Sequence, residues 1–491
     1  MMQVRKKTLD KATEGAISRA YTTGVPLVFD RYEDMVPVCR FGQMGLDCKA
    51  CTQGPCRINP FDPSNGTTCG RDRESVVASS FLRLIADGAV VNASFAEAQS
   101  AVAGVAFEGI AAANEGMAGS SQLLAKAVEV AEVAFQALAS IKANDSAVRE
   151  IEVGMGAMKP DKVNILMLGN IPAVQAKKIA RELGSNSKVN LIGATGGEVA
   201  GVALVGNYNS QEVLLTTTGI DGVVAGKACV SPGFLALAAK QGVPVMDADR
   251  FDAAELLDKA DGHYRKNAGR SLSPSFPPAR AVVGFGAATF STITDAQWGK
   301  LADSGVRGVA LIGGCNNVIA TQDAAVVRLA SEFLANDALV VASGCAAVAL
   351  AKAGYMDPLR TGSFAGKRLN PFLATLSEAA GFAALPAVLE ARTCWEIPAA
   401  LELAKLFQQK LQVPIAAAMP EVSRPASWSS ALAIAAQGVP TYVGPVLPLD
   451  GGLETVDTLN GILKARGGAL MGPGQVGDPE TFVNKVVSAE F

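Results

Sequence analysis

The chain contains nine cysteines, and four of them lie close together near the N-terminus. Cys48, Cys51, Cys56 and Cys69 follow the spacing C-x2-C-x4-C-x12-C. Four thiolates so close in sequence can surround a [4Fe–4S] cubane, because each iron atom of the cubane takes one sulfur ligand. Two alternatives stay open. A structural zinc site usually pairs two C-x2-C knuckles, whereas this segment has one, and the thiols could also bind no metal.

Four further cysteines are widely separated, at positions Cys229, Cys315, Cys345 and Cys394. The first three each follow shortly after a short apolar run that predicts a β-strand. Because the carboxyl ends of parallel strands converge on the crevice where ligands bind, these four cysteines could meet at one point. Considered singly, each of them is also typical of a small buried hydrophobic residue.

The composition restricts the functional class. Hydrophobic residues make up 49% of the 491 positions and charged residues 18%, which is enough apolar sequence for several cores. The net charge is −3 without a basic stripe, so we expect no nucleic-acid partner. We expect no membrane association, because no long apolar run predicts a span, and no secretory signal is visible. The expected location is the cytoplasm, where clustered cysteines bind metal more often than they form disulfides.

Three segments of different pattern must position these residues. Residues 1–160 contain the cysteine-rich loop and then Ala-rich stretches with apolar residues at helical spacing, which predicts a helical domain. Residues 161–275 and 276–491 each alternate short β-branched runs with helical segments, the pattern of parallel strands and crossover helices. We therefore predict an α/β protein in which an N-terminal helical domain is followed by two Rossmann-like parallel-sheet domains.

The segment around the N-terminal cysteines resembles the cluster signature of the nickel–iron carbon monoxide dehydrogenases. The matching string, which begins at Cys39, is C-x-F-G-x-x-G-x-x-C-x-x-C-x-x-G-P-C-R-I-N. Further matching segments are LIGGCNN, VASGCAAVALAKAG and VPTYVGPVLP, so the similarity covers nearly the whole chain. On this resemblance the chain is identified as a divergent member of that family, within the hybrid-cluster protein superfamily.

The resemblance implies a homodimer with two [4Fe–4S] clusters per chain and a further cluster shared across the dimer axis. The N-terminal cubane, which relays electrons, would be held by Cys48, Cys51, Cys56 and Cys69. The core cluster would be held by Cys229, Cys315, Cys345 and Cys394. Cys39 matches one ligand of the shared cluster, but Asp47 stands where the family has the second. The shared cluster is therefore either altered or absent, and Cys39 could instead be a buried thiol.

Several residues that the family uses around its nickel site are replaced. Asn170 stands where the family has a histidine ligand, and Leu432 stands at about the place of its catalytic lysine. Ala194 precedes Thr195 where the family has a pair of cysteines, and the segment AVVNASFAEA lacks the histidines of its proton relay. His263 is the only histidine of the chain, and we expect it at the surface, on the polar end of a helix.

These replacements predict an enzyme without nickel. The four remaining core thiolates are the complement of an ordinary cubane, and carbon monoxide oxidation also requires bases that accept protons. We expect an oxidoreductase that reduces a small hydroxylamine-like molecule beside Asn170, with electrons from a ferredoxin-like donor. Two alternatives stay open: a non-catalytic electron carrier or redox sensor, and a genuine carbon monoxide dehydrogenase with an unconventional metal site.

Overall fold

The structure is a computed structural model, and it divides into two compact units, each formed from two stretches of the chain. The first, which we call the sheet unit, comprises Met1–Val36 and Ala143–Val413. The second, the loop unit, comprises Pro37–Lys142 and Pro414–Phe491. The predicted domain boundaries near residues 160 and 275 stay predictions. The residues described are 6–62, 64–94, 99–115, 118–141, 147–195, 201–267, 269–270, 272, 276–391 and 393–490.

The β-strands are short, as expected for tightly packed α/β layers. In chain order they are β1 (Asp47–Cys48), β2 (Cys56–Arg57), β3 (Arg149–Val153), β4 (Val163–Leu168), β5 (Val189–Ala194), β6 (Ala203–Gly206), β7 (Gly222–Ala225), β8 (Val245–Asp247), β9 (Ala279–Val283), β10 (Gly308–Ile312), β11 (Ala338–Ala342), β12 (Val388–Glu390), β13 (Ile415–Met419), β14 (Thr441–Val443) and β15 (Leu470–Met471).

Helices fill most of the remaining sequence. The α-helices are α1 (Lys11–Thr22), α2 (Val28–Asp34), α3 (Arg40–Gln43), α4 (Arg73–Ala93), α5 (Gln99–Glu115), α6 (Ser120–Ala139), α7 (Ala173–Gly184), α8 (Gln211–Thr216), α9 (Pro232–Gln241), α10 (Ala253–Lys266), α11 (Asp295–Ala302), α12 (Ala324–Ala335), α13 (Gly344–Lys352), α14 (Thr361–Phe364), α15 (Leu369–Ala380), α16 (Ile397–Leu411), α17 (Pro425–Ala436), α18 (Thr455–Lys464), α19 (Pro473–Val476) and α20 (Pro479–Val487).

The sheet unit is built on strands in the order β10-β11-β12-β9-β3-β6-β5-β4-β7-β8. Neighbouring strands are parallel except β3 and β9, which pair antiparallel. The sheet therefore has two parallel halves that run in opposite directions. Strands β4, β10 and β11 are buried at every residue, which is why their sequences are almost continuously apolar. The predicted α/β class is confirmed.

Strand β4 shows how the sheet separates two cores. Ile165 and Met167 point into one hydrophobic cluster, together with residues of α7 and α10. Leu166 and Leu168 point into the other cluster, which includes residues of α1, α8 and α9. This alternation follows from the two-residue period of a strand. Helices on both faces hold the strands rigidly, so the loops at the strand ends occupy fixed positions.

The loop unit combines a helical cluster with strands β13, β14 and β15, which pair parallel. Helix α4 packs against α5, α6 and α17. At Gly88 the approach is so close that a Cβ atom would lie 2.1 Å from the carbonyl oxygen of Pro425. By length and composition one described helix, Arg73–Ala93, could cross a membrane, but 67% of its apolar window is buried inside the protein. Burial of this kind is typical of a core helix.

Candidate metal centres

The N-terminal cysteine loop begins with a two-stranded hairpin. Cys48 of β1 and Cys56 of β2 are direct antiparallel partners. Cys48 is buried, whereas Cys51 and Cys69 are exposed. A Cβ atom on Gly54 would lie 2.8 Å from the amide nitrogen of Cys56 and 3.0 Å from the carbonyl oxygen of Cys48. Glycine therefore allows the loop to turn tightly between Cys51 and Cys56.

Two threonines support the thiolate form of the loop cysteines. The Oγ1 atom of Thr68 lies 3.5 Å from Sγ of Cys56, and Oγ1 of Thr67 lies 3.2 Å from Sγ of Cys69. These contacts lower the pKa values of both thiols below their ordinary value. Iron binds the thiolate and not the thiol, so the donor set fits an iron–sulfur cluster.

Cys39 lies outside this group, immediately before α3. It is exposed, which contradicts the alternative that it is a buried thiol. Asp47 forms an ion pair of 2.8 Å with Lys49, and Cys39 interacts electrostatically with the same lysine. Cys39 and Asp47 thus both interact with Lys49.

In the sheet unit, Cys315 and Cys345 leave two neighbouring parallel strands. Ile312 at the end of β10 is the direct partner of Ala342 at the end of β11. The amide of Ser343 donates a hydrogen bond of 3.0 Å to the carbonyl of Ile312. Each cysteine follows three residues after its paired strand residue. The predicted strands before both cysteines are present, and both thiols are buried at the same edge of the sheet.

Cys394 joins this edge after β12, a strand that was not predicted. Gly344 has φ +63°, and a Cβ atom there would lie 2.6 Å from Cβ of Cys394. The hydroxyl of Ser343 donates a hydrogen bond of 3.0 Å to the carbonyl of Thr393. The segment that carries Cys345 is therefore in direct contact with the segment that carries Cys394, in a space that admits no side chain at position 344.

Cys229 and Asn170 occupy the ends of two strands in the other half of the sheet. The amide of Asn170, after β4, donates to the carbonyl of Ala228 at 2.9 Å. Cys229 follows β7 as predicted and has φ +61°, a conformation that few residues other than glycine adopt. The buried side chain of Gln211 holds this conformation, since its Nε2 donates to the carbonyl of Cys229 at 2.7 Å.

The thiol of Cys394 donates to Oδ1 of Asn170 at 3.6 Å, a distance within the sulfur hydrogen-bond range. The structure therefore connects the segments that carry Cys345, Cys394, Asn170 and Cys229 through successive contacts. Cys315 belongs to the same edge through β10 and β11. These residues fit an iron–sulfur cluster, whose thiolates bind different iron atoms.

A single metal ion is a different case. Within the described ranges, no three His, Cys, Asp or Glu residues are close enough together to bind one ion. All nine cysteines lie in those ranges, and they form no disulfides with each other. Of the residues predicted to replace nickel-site residues, Ala194 ends β5 and Leu432 is buried in α17. Residues 95–98, which end the segment AVVNASFAEA, and residues 196–200, which follow Thr195, lie outside the described residues.

The prediction of a surface position for His263 was wrong. Its side chain is 11% exposed, and Nδ1 lies 3.3 Å from Oδ1 of Asp221. The same buried carboxylate accepts two hydrogen bonds from Arg270. The helical pattern correctly indicated the last turn of α10, but the buried Asp221 comes from a distant loop and draws the imidazole inward. His263 is thus already engaged away from the cysteines.

Sequence reasoning missed the polar residues that hold the cysteine loops. Gln211 bonds the carbonyl of Cys229, and its Oε1 accepts from the amide of Ser231 at 2.8 Å. The only sequence signal is a glutamine in the short apolar segment QEVLLT, which is too weak to identify a partner. Buried polar side chains are almost always hydrogen-bonded, but the sequence does not say to what.

Comparisons with known proteins point to one family. Residues 106–475 match the Prismane/CO dehydrogenase family. The chain is 25% identical to carbon monoxide dehydrogenase 2 of Carboxydothermus hydrogenoformans, over 100% of this chain and 98% of that protein. It is 27% identical to the carbon monoxide dehydrogenase of Rhodospirillum rubrum, over 90% and 91% of the two chains.

A solved structure shares the fold over nearly the whole chain. Carbon monoxide dehydrogenase IV from Carboxydothermus hydrogenoformans superimposes with a TM-score of 0.84 at 23% identity, and the match covers 99% of this chain and 98% of that one. At 23% identity this similarity shows a shared fold only. The family match covers most of the chain, and the protein is therefore a member of the Prismane/CO dehydrogenase family, an iron–sulfur oxidoreductase in its coarse class.

Proposed function

We propose that this protein is a nickel-free oxidoreductase that reduces a small polar molecule of the hydroxylamine type at the core cysteines. The observation that carries the proposal is the contact between Asn170 and Cys394, which puts a neutral amide beside the thiol. An amide can donate and accept hydrogen bonds but does not ionise near neutral pH, so it does not act as an acid or a base there. It suits the orientation of a small polar substrate better than the removal of protons from a metal-bound one.

Two residues bear on the oxidation of carbon monoxide, which releases protons. Its only histidine, His263, is engaged with Asp221. Leu432, at about the position of the family's catalytic lysine, has no titratable group and is fully buried. General-base catalysis needs a group whose pKa lies near the working pH. These two residues therefore give no support to carbon monoxide oxidation, and the two protons of the proposed reduction would come from solvent.

The proposed cofactors are two [4Fe–4S] clusters per chain, which store and transfer electrons when bound. The residues that would hold them are Cys48, Cys51, Cys56 and Cys69 in the loop unit, and Cys229, Cys315, Cys345 and Cys394 in the sheet unit. In the proposed reaction, hydroxylamine takes up two electrons and two protons, its N–O bond breaks, and ammonia and water form. The Asn170 amide would hydrogen-bond the hydroxylamine oxygen and hold it beside the core thiols.

The proposed partners are a ferredoxin-like electron donor and a second copy of this chain. Cys51 and Cys69 are exposed, so a protein donor could approach the loop unit closely. The exposed Cys39 and the neighbouring Asp47 support a homodimer with an altered cluster between the copies. A carboxylate is a harder ligand than a thiolate, and such a cluster would differ in potential from one with thiolates only.

A second candidate is supported by the names of the relatives, which are carbon monoxide dehydrogenases. One experiment separates the two functions. Protein purified without oxygen is assayed for oxidation of reduced viologen by hydroxylamine and for viologen reduction by carbon monoxide, and its nickel and iron are measured. We expect hydroxylamine-dependent turnover, iron without nickel, and no response to carbon monoxide. Carbon monoxide oxidation with stoichiometric nickel would overturn the proposal, and inactivity in both assays would favour an electron carrier.

A further inference from the structure

A buried lysine lies at the end of the helix that carries Cys345. The side chain of Lys352 is 5% exposed, and its Nζ lies 2.7 Å from Oδ2 of Asp323, whose side chain is 3% exposed. A second carboxylate, Asp10, lies 3.7 Å from the same nitrogen. Lys352 and Asp323 are removed from water and Asp10 is partly so, which is costly, and an apolar set of similar shape is often as stable. The presence of such a cluster therefore calls for a role beyond stability.

The lysine and its main partner each belong to a segment that carries a core cysteine. Lys352 is the last residue of α13, and Cys345 lies in the first turn of the same helix. The two are seven residues apart, which puts them on one face of the helix, about 10 Å apart along its axis. Asp323 precedes α12 and ends the loop that begins at Cys315. One ion pair thus joins the two cysteine-bearing segments.

Asp323 also reaches back to the residue next to Cys315. Its Oδ1 accepts a hydrogen bond of 3.0 Å from Nδ2 of Asn316 and one of 2.8 Å from Nδ2 of Asn207. Its own backbone has φ +69°, a left-handed conformation that is costly for a residue other than glycine. The carboxylate is therefore held in one orientation, with one oxygen on the Cys315 segment and the other on Lys352.

The N-terminal segment before α1 also contacts the loop that ends at Asp323. The amide of Gln322 donates to the carbonyl of Lys7 at 3.0 Å, and the amide of Leu9 donates to the carbonyl of Gln322 at 3.2 Å. Asp10, which follows, caps α1 and faces Lys352. The loop from Cys315 to Asp323 is thus fixed at its beginning, at its end and along one side.

We propose that Lys352 and Asp323 are positioning residues that set the placement of Cys315 relative to Cys345. This inference rests on the proposed core cluster, which needs both sulfurs at a fixed separation. Hydrogen bonds to a carboxylate are directional, whereas apolar packing would allow the loop to shift. Neither residue is a ligand, and their effect on a cluster would be transmitted through the two cysteine segments.

The chain provides a matched control for the test. Arg270 and Asp221 form another buried ion pair of the sheet unit, with bonds of 2.6 and 2.7 Å and side chains 6% and 0% exposed. This pair lies beside the start of β7, whereas Cys229 follows the end of that strand. Replacement of Arg270 by Met removes a comparable buried charge without touching the Cys315 and Cys345 segments.

The experiment compares the wild type with Lys352→Met, Asp323→Asn, Asn316→Ala and Arg270→Met, all reconstituted with iron and sulfide without oxygen. Iron content, the electron paramagnetic resonance of the reduced protein and the reduction potential are measured, and Cys345→Ala identifies the core signal. We expect Lys352→Met and Asp323→Asn to lose at least half of the core signal or to shift its potential. Arg270→Met should lose about as much stability as Lys352→Met but keep the core signal. Asn316→Ala should show the same changes as Lys352→Met, to a smaller extent.

Amide hydrogen exchange of the metal-free chains provides a readout that does not depend on a cluster. Exchange in residues 315–323 and 6–10 should accelerate in Lys352→Met and stay unchanged in Arg270→Met. Unchanged exchange and an unchanged core signal in Lys352→Met would overturn the positioning role, as would equal effects of Arg270→Met. If Cys345→Ala keeps the iron content of the wild type, the core cluster is refuted instead. The exchange result would then decide the positioning role alone.

Discussion

Oδ1 of Asn170 lies 3.6 Å from Sγ of Cys394, although the two residues follow strands from opposite halves of the sheet. The halves run in opposite directions across the β3–β9 pair, so a flat sheet would put their carboxyl ends on opposite edges. Five strand-to-strand steps separate β12 from β4, and sheet twist rotates the strands by roughly 20–25° per step. The loops that follow β4 and β12 therefore bridge the two halves at this contact.

The first prediction concerns Asn170 itself. Asn170→Ala should lower kcat/KM for hydroxylamine about tenfold, because the loss of one hydrogen bond to the substrate costs about 1.4 kcal/mol. Asn170→His should not produce viologen reduction by carbon monoxide, since Leu432 and Ala194 remain. Steady-state assays of both variants without oxygen test this. An active Asn170→His variant would show that a single ligand separates this chain from its relatives.

The second prediction separates the two sets of cysteines. The wild type should contain about eight iron atoms per chain, and Cys51→Ala and Cys345→Ala should each contain about four. The electron paramagnetic resonance signals lost in the two variants should differ, because the cysteines belong to different units. Cys39→Ala is the control, and it should change only iron beyond the eight atoms. If Cys345→Ala leaves the iron content unchanged, Cys345 is a buried thiol and nothing more.

The third prediction tests the close approach at Gly344. Gly344→Ala should be destabilising, by about 1–2 kcal/mol for the positive φ and about 1–3 kcal/mol for the overlap with Cys394. Gly381→Ala is a matched control, because Gly381 has φ +76° and no atom within 4 Å of the added Cβ. Urea unfolding should show the larger loss for Gly344→Ala. Equal losses would mean that the space beside Cys394 can expand.

The sequence predicts the strands before Cys229, Cys315 and Cys345 because buried parallel strands produce clear apolar runs. It does not predict β12, since three residues are too few to distinguish a strand from a buried turn. The partners of Lys352 are equally hidden. Asp323 and Asp10 are far away in sequence, and ion pairs of this kind depend on the tertiary fold and leave no periodic pattern. The cysteines are therefore the clearest signals in the sequence, whereas the residues that hold the cysteine loops can be recognised only in the structure.

The last prediction concerns pH. Nζ of Lys352 faces Asp323, Asp10 and Cys345; burial favours the neutral amine, but these acidic groups outweigh it and raise the pKa of Lys352 above its ordinary value. Because the folded pKa is the higher one, the stabilisation is complete below the unfolded pKa of about 10.4 and disappears as pH rises through the folded pKa. The difference in urea midpoint between wild type and Lys352→Met should therefore stay constant from about pH 7 to 9.5 and shrink only above about pH 10.4. A difference that already shrinks near pH 8 would mean that Lys352 loses its proton close to neutrality, and that the network holds a neutral amine instead of an ion pair.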